Sequence, residues 1–217
     1  MATRRDTSGR ARPAPRLYLV TEQADSADIA VALASALIAG DVAAVLLGMG
    51  GNDEREKIKH FKALAPPIQD QGAALLLNGL PDLVARAGAD GAHLHGIEAL
   101  RGALSGLKPD RIAGVGNLGT RHESMLAAEV GADYVMFGEP NDDQDRPGFD
   151  SVLDRLSWWS ELFEVPCIGY AATLDEVGPL AVAGADFIAL GADLWMGDAG
   201  AANVAEAQRR LAVEETV

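Results

Sequence analysis

His93-Leu94-His95 is the stretch of this chain best suited to chemistry. Residues i and i+2 of a strand share a face, so both imidazoles project to the same side. On the inside of a sheet such a pair could shuttle protons or bind a metal. The same spacing also suits a hydrogen-bonded interior His93 with His95 merely opening a loop, and no third ligand is marked by spacing. The segment Gly138 to Asp150 holds Glu139, Asp142, Asp143, Asp145 and Asp150 against one Arg146. Such a loop could chelate Mg²⁺ or Ca²⁺. Its spacing matches no EF-hand, Pro140 and Pro147 interrupt it, and a solvated, mobile lid is the other reading. Arg121-His122 opens a helix, where anions bind well, or forms an ordinary surface turn. Gly50-Gly51-Asn52 offers backbone amides to a phosphate or makes a plain turn.

These residues need elements to hold them. Gly-Ala-Asp occurs at Gly88-Ala89-Asp90, Gly131-Ala132-Asp133 and Gly184-Ala185-Asp186, with a weaker copy at Gly40-Asp41. Each follows an Ala-rich helical stretch and precedes a short apolar run. Glycine stops a helix because the residue after its end favours left-handed backbone. A short apolar run is how a fully buried parallel strand reads. The repeat therefore predicts alternating helices and strands. Strands are expected at 16–20, 42–47, 73–77, 91–95, 111–116, 133–137, 167–170 and 187–190. Helices are expected over 26–39, from Asn52 as N-cap, to Ala87, and over 97–104 and 120–129. Three more follow: one from Ser151, one over 174–183 and one over 198–211. In the helix from Ser151, Val152, Leu156, Trp159 and Phe163 form a core-facing stripe. Trp158 lies off that stripe, marking either a subunit contact in a homodimer or a ring flat on the surface.

Eight short, similar strand-helix units in about 200 residues fit a single (β/α)8 TIM barrel, near its lower size limit. A doubly wound open sheet would want longer, more apolar central strands, and no Gly-x-Gly-x-x-Gly follows the first strand. Residues 1–15, rich in Arg, Pro, Ser and Thr, read as a flexible N-terminal tail, and 16–217 as the barrel domain. Barrel chemistry lies at the C-terminal ends of the strands. That places Thr21 and Glu22, Met49, Asn78, His95, Asn117, Glu139, Tyr170 and Thr173, and Asp193 and Trp195 around one mouth. From these, together with the His93-Leu94-His95 and Arg121-His122 motifs, we select His95, His122 and Glu139 as candidate catalytic residues. Thr21, Asn78, His93, Asn117 and Tyr170 are the candidate ligand contacts for a small molecule in the mouth.

Composition narrows the partners. Among 217 residues, 32 acids face 18 bases, a net charge of −14 that argues against nucleic acid or an anionic membrane surface. The lone cysteine, Cys167, allows no intrachain disulfide and no cysteine-based metal site, which fits a cytoplasmic protein. No apolar run approaches the roughly 18 residues of a membrane span, and residues 1–15 lack the apolar core of a secretory signal.

From Leu17 to Trp195 the chain resembles the thiamine phosphate synthase family and its TenI-like relatives. Leu17-Tyr18-Leu19-Val20-Thr21-Glu22 is similar to the family's Leu-Tyr-Leu-Val-Thr-Asp. Gly88-Ala89-Asp90-Gly91-Ala92-His93-Leu94 is similar to its Gly-Ala-Asp-Gly-Val-His-Leu, the most specific match. Leu77-Asn78, Ala113-Gly114-Val115, the run from Gly131 to Gly138, Val165 to Gly169 and Ala183 to Asp186 follow the family strands in order. The resemblance implies a reaction joining an aminopyrimidine diphosphate to a thiazole phosphate, with Mg²⁺ as cofactor.

The family's functional letters are largely replaced. Its Gln-x-Arg-Glu-Lys reads here as Val45-Leu46-Leu47-Gly48-Met49, and the aspartate after Asn78 is Gly79. The Gly-Gln after His-Leu is His95-Gly96, and the acidic loop replaces Thr-x-Thr-Lys. The glycines that approach phosphate after the seventh strand are Ala171-Ala172, and no small hydroxyl residue stands in Leu190-Gly191-Ala192. Putting a carboxylate where a cation faced a diphosphate reverses an interaction of roughly 3–4 kcal/mol per close pair at an intermediate dielectric. A weak or absent synthase activity is expected, with the Mg²⁺ ligands not retained. Three functions then compete. One is an enzyme of thiamine metabolism with an altered site, such as a TenI-like tautomerase needing only a base and a small pocket. Another is a ligand-binding or regulatory barrel. The last is a metal-assisted hydrolase on His93, His95 and Glu139.

Overall fold

The computed structural model of the chain describes residues 13–21, 26–51, 53–141 and 143–214. Strands β1 (Arg16–Val20), β2 (Val42–Leu47), β3 (Ala74–Asn78), β4 (Gly91–His95), β5 (Ile112–Gly116), β6 (Tyr134–Phe137), β7 (Cys167–Ala171) and β8 (Phe187–Leu190) are all parallel. They close in sequential order into a barrel, with Arg16 opposite Phe187 at the β1–β8 seam. The connecting helices are α1 (Ser26–Ala39), α2 (Glu54–Gln69), α3 (Val84–Ala87), α4 (Ile97–Leu107), α5 (Arg121–Val130), α6 (Phe149–Leu162) and α7 (Val177–Val182). After β8 come the one-turn α8 (Ala192–Trp195) and the closing α9 (Gly200–Glu214). The chain is a single (β/α)8 barrel.

Strand alternation sorts the apolar residues into two cores. Tyr18, Leu46, Leu76, Tyr134, Met136, Ile168, Tyr170 and Ala189 fill the barrel interior. Residues of the other parity, among them Leu19, Val45, Leu75, Val115 and Val135, pack outward against Ile29, Leu33, Phe61, Leu100, Leu156 and Trp159 of the helices. Gly114 makes room for one interior ring, because a β-carbon there would overlap the Tyr134 side chain.

The Gly-Ala-Asp repeat has one structural meaning. Gly88, Gly131 and Gly184 take φ values of 74°, 107° and 93°, the left-handed turn that ends a helix. The aspartate that follows then clamps the preceding strand twice. The Asp90 carboxylate accepts the Leu75 N–H at 2.8 Å, and the Asp90 N–H donates to the Leu75 carbonyl at 2.8 Å. Asp133 does the same with Ala113, at 2.7 and 2.9 Å. Asp186 does so with Cys167, at 2.8 Å for both bonds. In the weaker copy, the Asp41 carbonyl accepts the Leu17 N–H, and its carboxylate instead takes Arg16 in a two-pronged pair.

Several boundaries differ from the sequence expectation, each for a local reason. The α2 N-cap is Asp53, whose carboxylate accepts the N–H groups of Arg55 and Glu56; Asn52 lies outside the described residues. The third connection begins as a 3₁₀ turn, Pro81–Leu83, because Pro81 supplies no N–H. Phe163 ends α6 as its C-cap, stacked on Trp159 at 4.1 Å, instead of continuing the helical stripe. The extra α8 is pinned by Trp195, which is fully buried and donates its Nε1–H to the Val20 carbonyl. Trp158 is half-buried against Trp159 and Phe163, with the Arg121 guanidinium 4.8 Å from its ring centre. No helix among the described residues is long and apolar enough to cross a membrane.

Candidate active site

At the C-terminal ends of the strands lies a cavity of about 670 Å³, lined among others by Thr21, Asn78, His93, His95, Glu139 and Tyr170. His95, the last residue of β4, stands between two amides. Its Nε2 lies 2.6 Å from Asn78 Oδ1 and its Nδ1 lies 2.9 Å from Asn117 Nδ2. An oxygen at one nitrogen and an NH₂ at the other place the ring proton on Nε2 and leave Nδ1 as an acceptor. Asn117 can reach back because it turns immediately after β5 with φ 51°, a left-handed conformation that asparagine tolerates.

His93 lies one layer deeper, with its ring centre 5.3 Å from that of His95. Its Nδ1 is 3.0 Å from the Tyr134 hydroxyl, which is 2.9 Å from the Tyr18 hydroxyl. Burial pushes the His93 pKa down to about 3, and the nearby His95 adds to this, so His93 is neutral at ordinary pH. Burial also keeps both tyrosine hydroxyls protonated. A buried polar chain therefore runs from the barrel centre to the mouth with every member uncharged.

Glu139 is the acidic member. Gly138, with φ 96°, turns the chain after β6 so that Glu139 folds back over the barrel, 8% exposed. Its Oε1 accepts the Asn117 N–H. Gly116 provides the space: a β-carbon there would overlap the Glu139 carboxylate and crowd His93 Nε2. Burial raises the Glu139 pKa to about 7, opposed by the backbone N–H groups of Asn117 and Glu139 and by Arg155 and Arg146. A carboxyl titrating near neutrality in a cavity can both give and accept a proton.

The other candidates divide. Thr21 lines the cavity, but its hydroxyl donates to the Leu46 carbonyl and accepts the Gly48 N–H, tying β1 to β2. Tyr170 forms one wall. His122 does not join the site: it is exposed on the first turn of α5 and borders neither the mouth nor the neighbouring cavity. The N-terminal amides of α5 serve its own capping box, in which Thr120 and Glu123 bond reciprocally. Glu22 lies outside the described residues. Asp193 and Thr173 are exposed and do not line the mouth, and Trp195 is structural.

The acidic loop is more built than a solvated lid. Asn141 Oδ1 accepts the N–H groups of Asp143 and Asp145, which makes a tight turn. Arg146 then staples the loop to the Gly138 and Tyr170 carbonyls at 2.8 and 3.1 Å and pairs with Glu176 at 3.2 Å. This places Asn141 and Gln144 in the cavity wall, where Lys57 from α2 joins them. Only the Asn-x-Asp spacing signalled that turn in the sequence. Nothing local signalled Lys57 or the Arg146–Glu176 pair, because their partners are distant along the chain.

Mg²⁺, which the resemblance implies, does not fit this donor set. The ion is usually held by one or two ionised carboxylates together with waters and substrate phosphates. Glu139 is the one carboxylate lining the mouth among the described residues, and its burial favours the protonated form. No group of three His, Cys, Asp or Glu among the described residues could hold a metal ion.

Fold and site together define a small (β/α)8 barrel with a polar, single-ligand-sized cavity at the strand ends. Comparison with known proteins narrows the class. The sequence model of the thiamine monophosphate synthase family matches residues 17–194, and the chain belongs to that family. It is 40% identical to the thiamine-phosphate synthase of Rhodospirillum centenum, over 89% of this chain and 96% of that protein. With the thiamine-phosphate synthase of Hyphomonas neptunium it shares 32% identity, over 92% of this chain and 95% of the relative. Among solved structures it is similar to thiamine phosphate pyrophosphorylase from Pyrococcus furiosus, with a TM-score of 0.74 at 20% identity, covering 93% of this chain and 97% of the other. A 3-hexulose-6-phosphate synthase from Salmonella typhimurium gives 0.72 at 15% identity, covering 91% and 99%, a likeness of fold alone.

Proposed function

We propose that this family member binds a small heterocyclic ligand of thiamine biosynthesis in the barrel mouth and has weak or no synthase activity. The observation that carries this reading is the charge of the mouth. Among the described residues Lys57 is its only cationic side chain, and Glu139 stands at its floor. Releasing a diphosphate calls for cations placed where charge develops, and those letters of the family motif are replaced in this chain. The names of the relatives pull the other way, so turnover is the deciding measurement. Purified protein supplied with the aminopyrimidine diphosphate, the thiazole phosphate and Mg²⁺ is expected to release pyrophosphate far below an ordinary enzymatic rate or no faster than an enzyme-free control. Turnover at an ordinary enzymatic rate, on the order of 1 s⁻¹ or more, overturns the reading.

A second reading is favoured by one observation, the buried Glu139 carboxyl lining the same cavity as His93 and His95. A tautomerisation needs a group that takes a proton from one ligand atom and returns it to another. Glu139 would move that proton, while Asn78 and His95 hold the ring in register.

A further inference from the structure

We propose that Tyr134 and Tyr18 lock His93 in one tautomer, with its proton on Nε2, so that the floor of the mouth is a fixed hydrogen-bond donor and the ligand brings an acceptor to it. The tautomer follows from the protein alone. The demand on the ligand rests on the mouth being the ligand site and adds to that reading.

A neutral imidazole has one N–H and one bare nitrogen, and its partners decide which is which. Burial keeps His93 neutral at ordinary pH. Its Nδ1 meets the Tyr134 hydroxyl, which meets the Tyr18 hydroxyl, and these are the only side-chain partners of all three groups among the described residues. If Nδ1 carried the proton, Tyr134 would have to accept it. Either Tyr134 then donates to Tyr18, whose own hydrogen has no acceptor, or Tyr18 donates to Tyr134, whose own hydrogen has none. If Nδ1 is bare, Tyr18 donates to Tyr134, Tyr134 donates to Nδ1, and every hydroxyl hydrogen is bonded. Tyr18 and Tyr134 are 2% and 6% exposed, and a buried O–H without an acceptor loses its hydration for nothing in return. The chain of hydroxyls therefore points toward His93, and the ring proton sits on Nε2.

That nitrogen opens into the mouth. No described residue bonds Nε2, yet no sealed side-chain nitrogen or oxygen among the described residues lacks a partner. Nε2 is thus reached from the cavity that His93 lines. Gly114 and Gly116, two apart on β5 and so on one face, make the arrangement possible. A β-carbon at Gly114 would overlap the Tyr134 hydroxyl, and one at Gly116 would stand 2.9 Å from His93 Nε2.

The same chain cannot run as a proton wire. Were Nε2 to give its proton to a ligand, Nδ1 would take the Tyr134 proton and Tyr134 that of Tyr18, leaving a phenolate at the closed end. Burial holds the Tyr18 hydroxyl well above its ordinary pKa, against that outcome. His93 positions a ligand and does not shuttle its proton.

Long-range ¹H–¹⁵N correlation spectra of the full-length protein at pH 7 read the tautomer, with His93 assigned by its loss in His93→Leu. The wild type is expected to favour Nε2–H by about tenfold or more, which is what a buried hydroxyl without an acceptor costs. Tyr18→Phe combined with Tyr134→Phe removes both hydroxyls and leaves no buried orphan. The ratio is then expected to fall below tenfold, whereas tyrosines that only pack would leave it unchanged. Calorimetry with the thiazole alcohol and its thiophene counterpart, which has CH in place of the ring nitrogen, reads the demand on the ligand. The wild type is expected to bind the thiazole at least tenfold more tightly, and His93→Leu to lose that difference. A wild type in the Nδ1–H form or an even mixture, an unchanged ratio in the double variant, or equal affinity of the wild type for the two compounds would each overturn the proposal. If neither compound binds, the reading of the preceding section fails, while the spectra still decide this one. If the double variant does not fold, the wild-type spectrum alone is decisive.

Discussion

At the N-terminal end of the barrel, Asp90, Asp133 and Asp186 make the same pair of bonds to Leu75, Ala113 and Cys167. At the C-terminal end, the residues that close β3, β4, β5 and β6 are Asn78, His95, Asn117 and Glu139, and their contacts are all different. The two ends differ in what they bond. A clamp on backbone can be repeated, because every strand offers the same N–H and C=O. A surface that meets a ligand cannot be repeated, because each strand faces a different part of it. Stability is thus concentrated where the sequence repeats, and chemistry where it does not.

This contrast can be broken from either end. The largest effect is expected from the charge at the top. The Glu139 pKa is raised to about 7 from an ordinary 4.5, so the folded chain holds a proton that the unfolded chain has lost. The stability from this group is therefore complete below about pH 4.5 and is lost as the pH rises through 7. Glu139→Gln removes the titration and keeps an acceptor for the Asn117 N–H. Denaturant melts from pH 4.5 to 8 should show the variant gaining on the wild type by about 3 kcal/mol across that window. Parallel curves for the two proteins would mean that the top end carries no such strain.

A somewhat smaller effect is expected at the bottom. Asp90→Ala leaves the Leu75 N–H without its carboxylate and leaves Gln69 with only its bond to the Gly88 carbonyl. A loss of about 2 kcal/mol is expected in urea unfolding, with ligand-induced thermal stabilisation of the remaining folded protein unchanged. A ligand response that falls along with stability would show that the two ends are coupled. The smallest effect is expected for His95→Ala. This side chain is exposed and its bonds go to two amides that can turn to water, so the loss should stay below about 1 kcal/mol. The same variant should lose the thermal shift that ligand produces. A loss as large as that of Asp90→Ala would make His95 a scaffold residue.

The same contrast explains how much of the molecule could be read from its residues. α1, β1, β2, β4 and β8 lie within the expected bounds because glycine stops and apolar runs are local signals. Asn78, His95, Glu139 and Tyr170 reach the mouth because strand alternation and barrel topology place them there. His122 fails for a reason spacing does not reveal: a helix that caps itself spends its amides on Thr120 and Glu123. Asn117 matters less for its type than for a left-handed turn that aims its side chain at His95 and its N–H at Glu139. The Arg146–Glu176 pair joins residues thirty positions apart, which no periodicity marks.

The aspartate clamps also say where the molecule has joints. Each bridges two consecutive strands, β3 to β4, β5 to β6 and β7 to β8, and Asp41 joins β2 to β1 through Arg16. The barrel is therefore a ring of four two-strand modules, each closed over a short length of chain, where loop entropy is least unfavourable. A cut within α4 or α6 falls between modules and leaves every clamp inside one fragment. A cut within α3, α5 or α7 parts an aspartate from its strand. Half-barrels divided at α4 keep their clamps intact, and this is the seam along which two separately made pieces of the chain should find each other and reassemble.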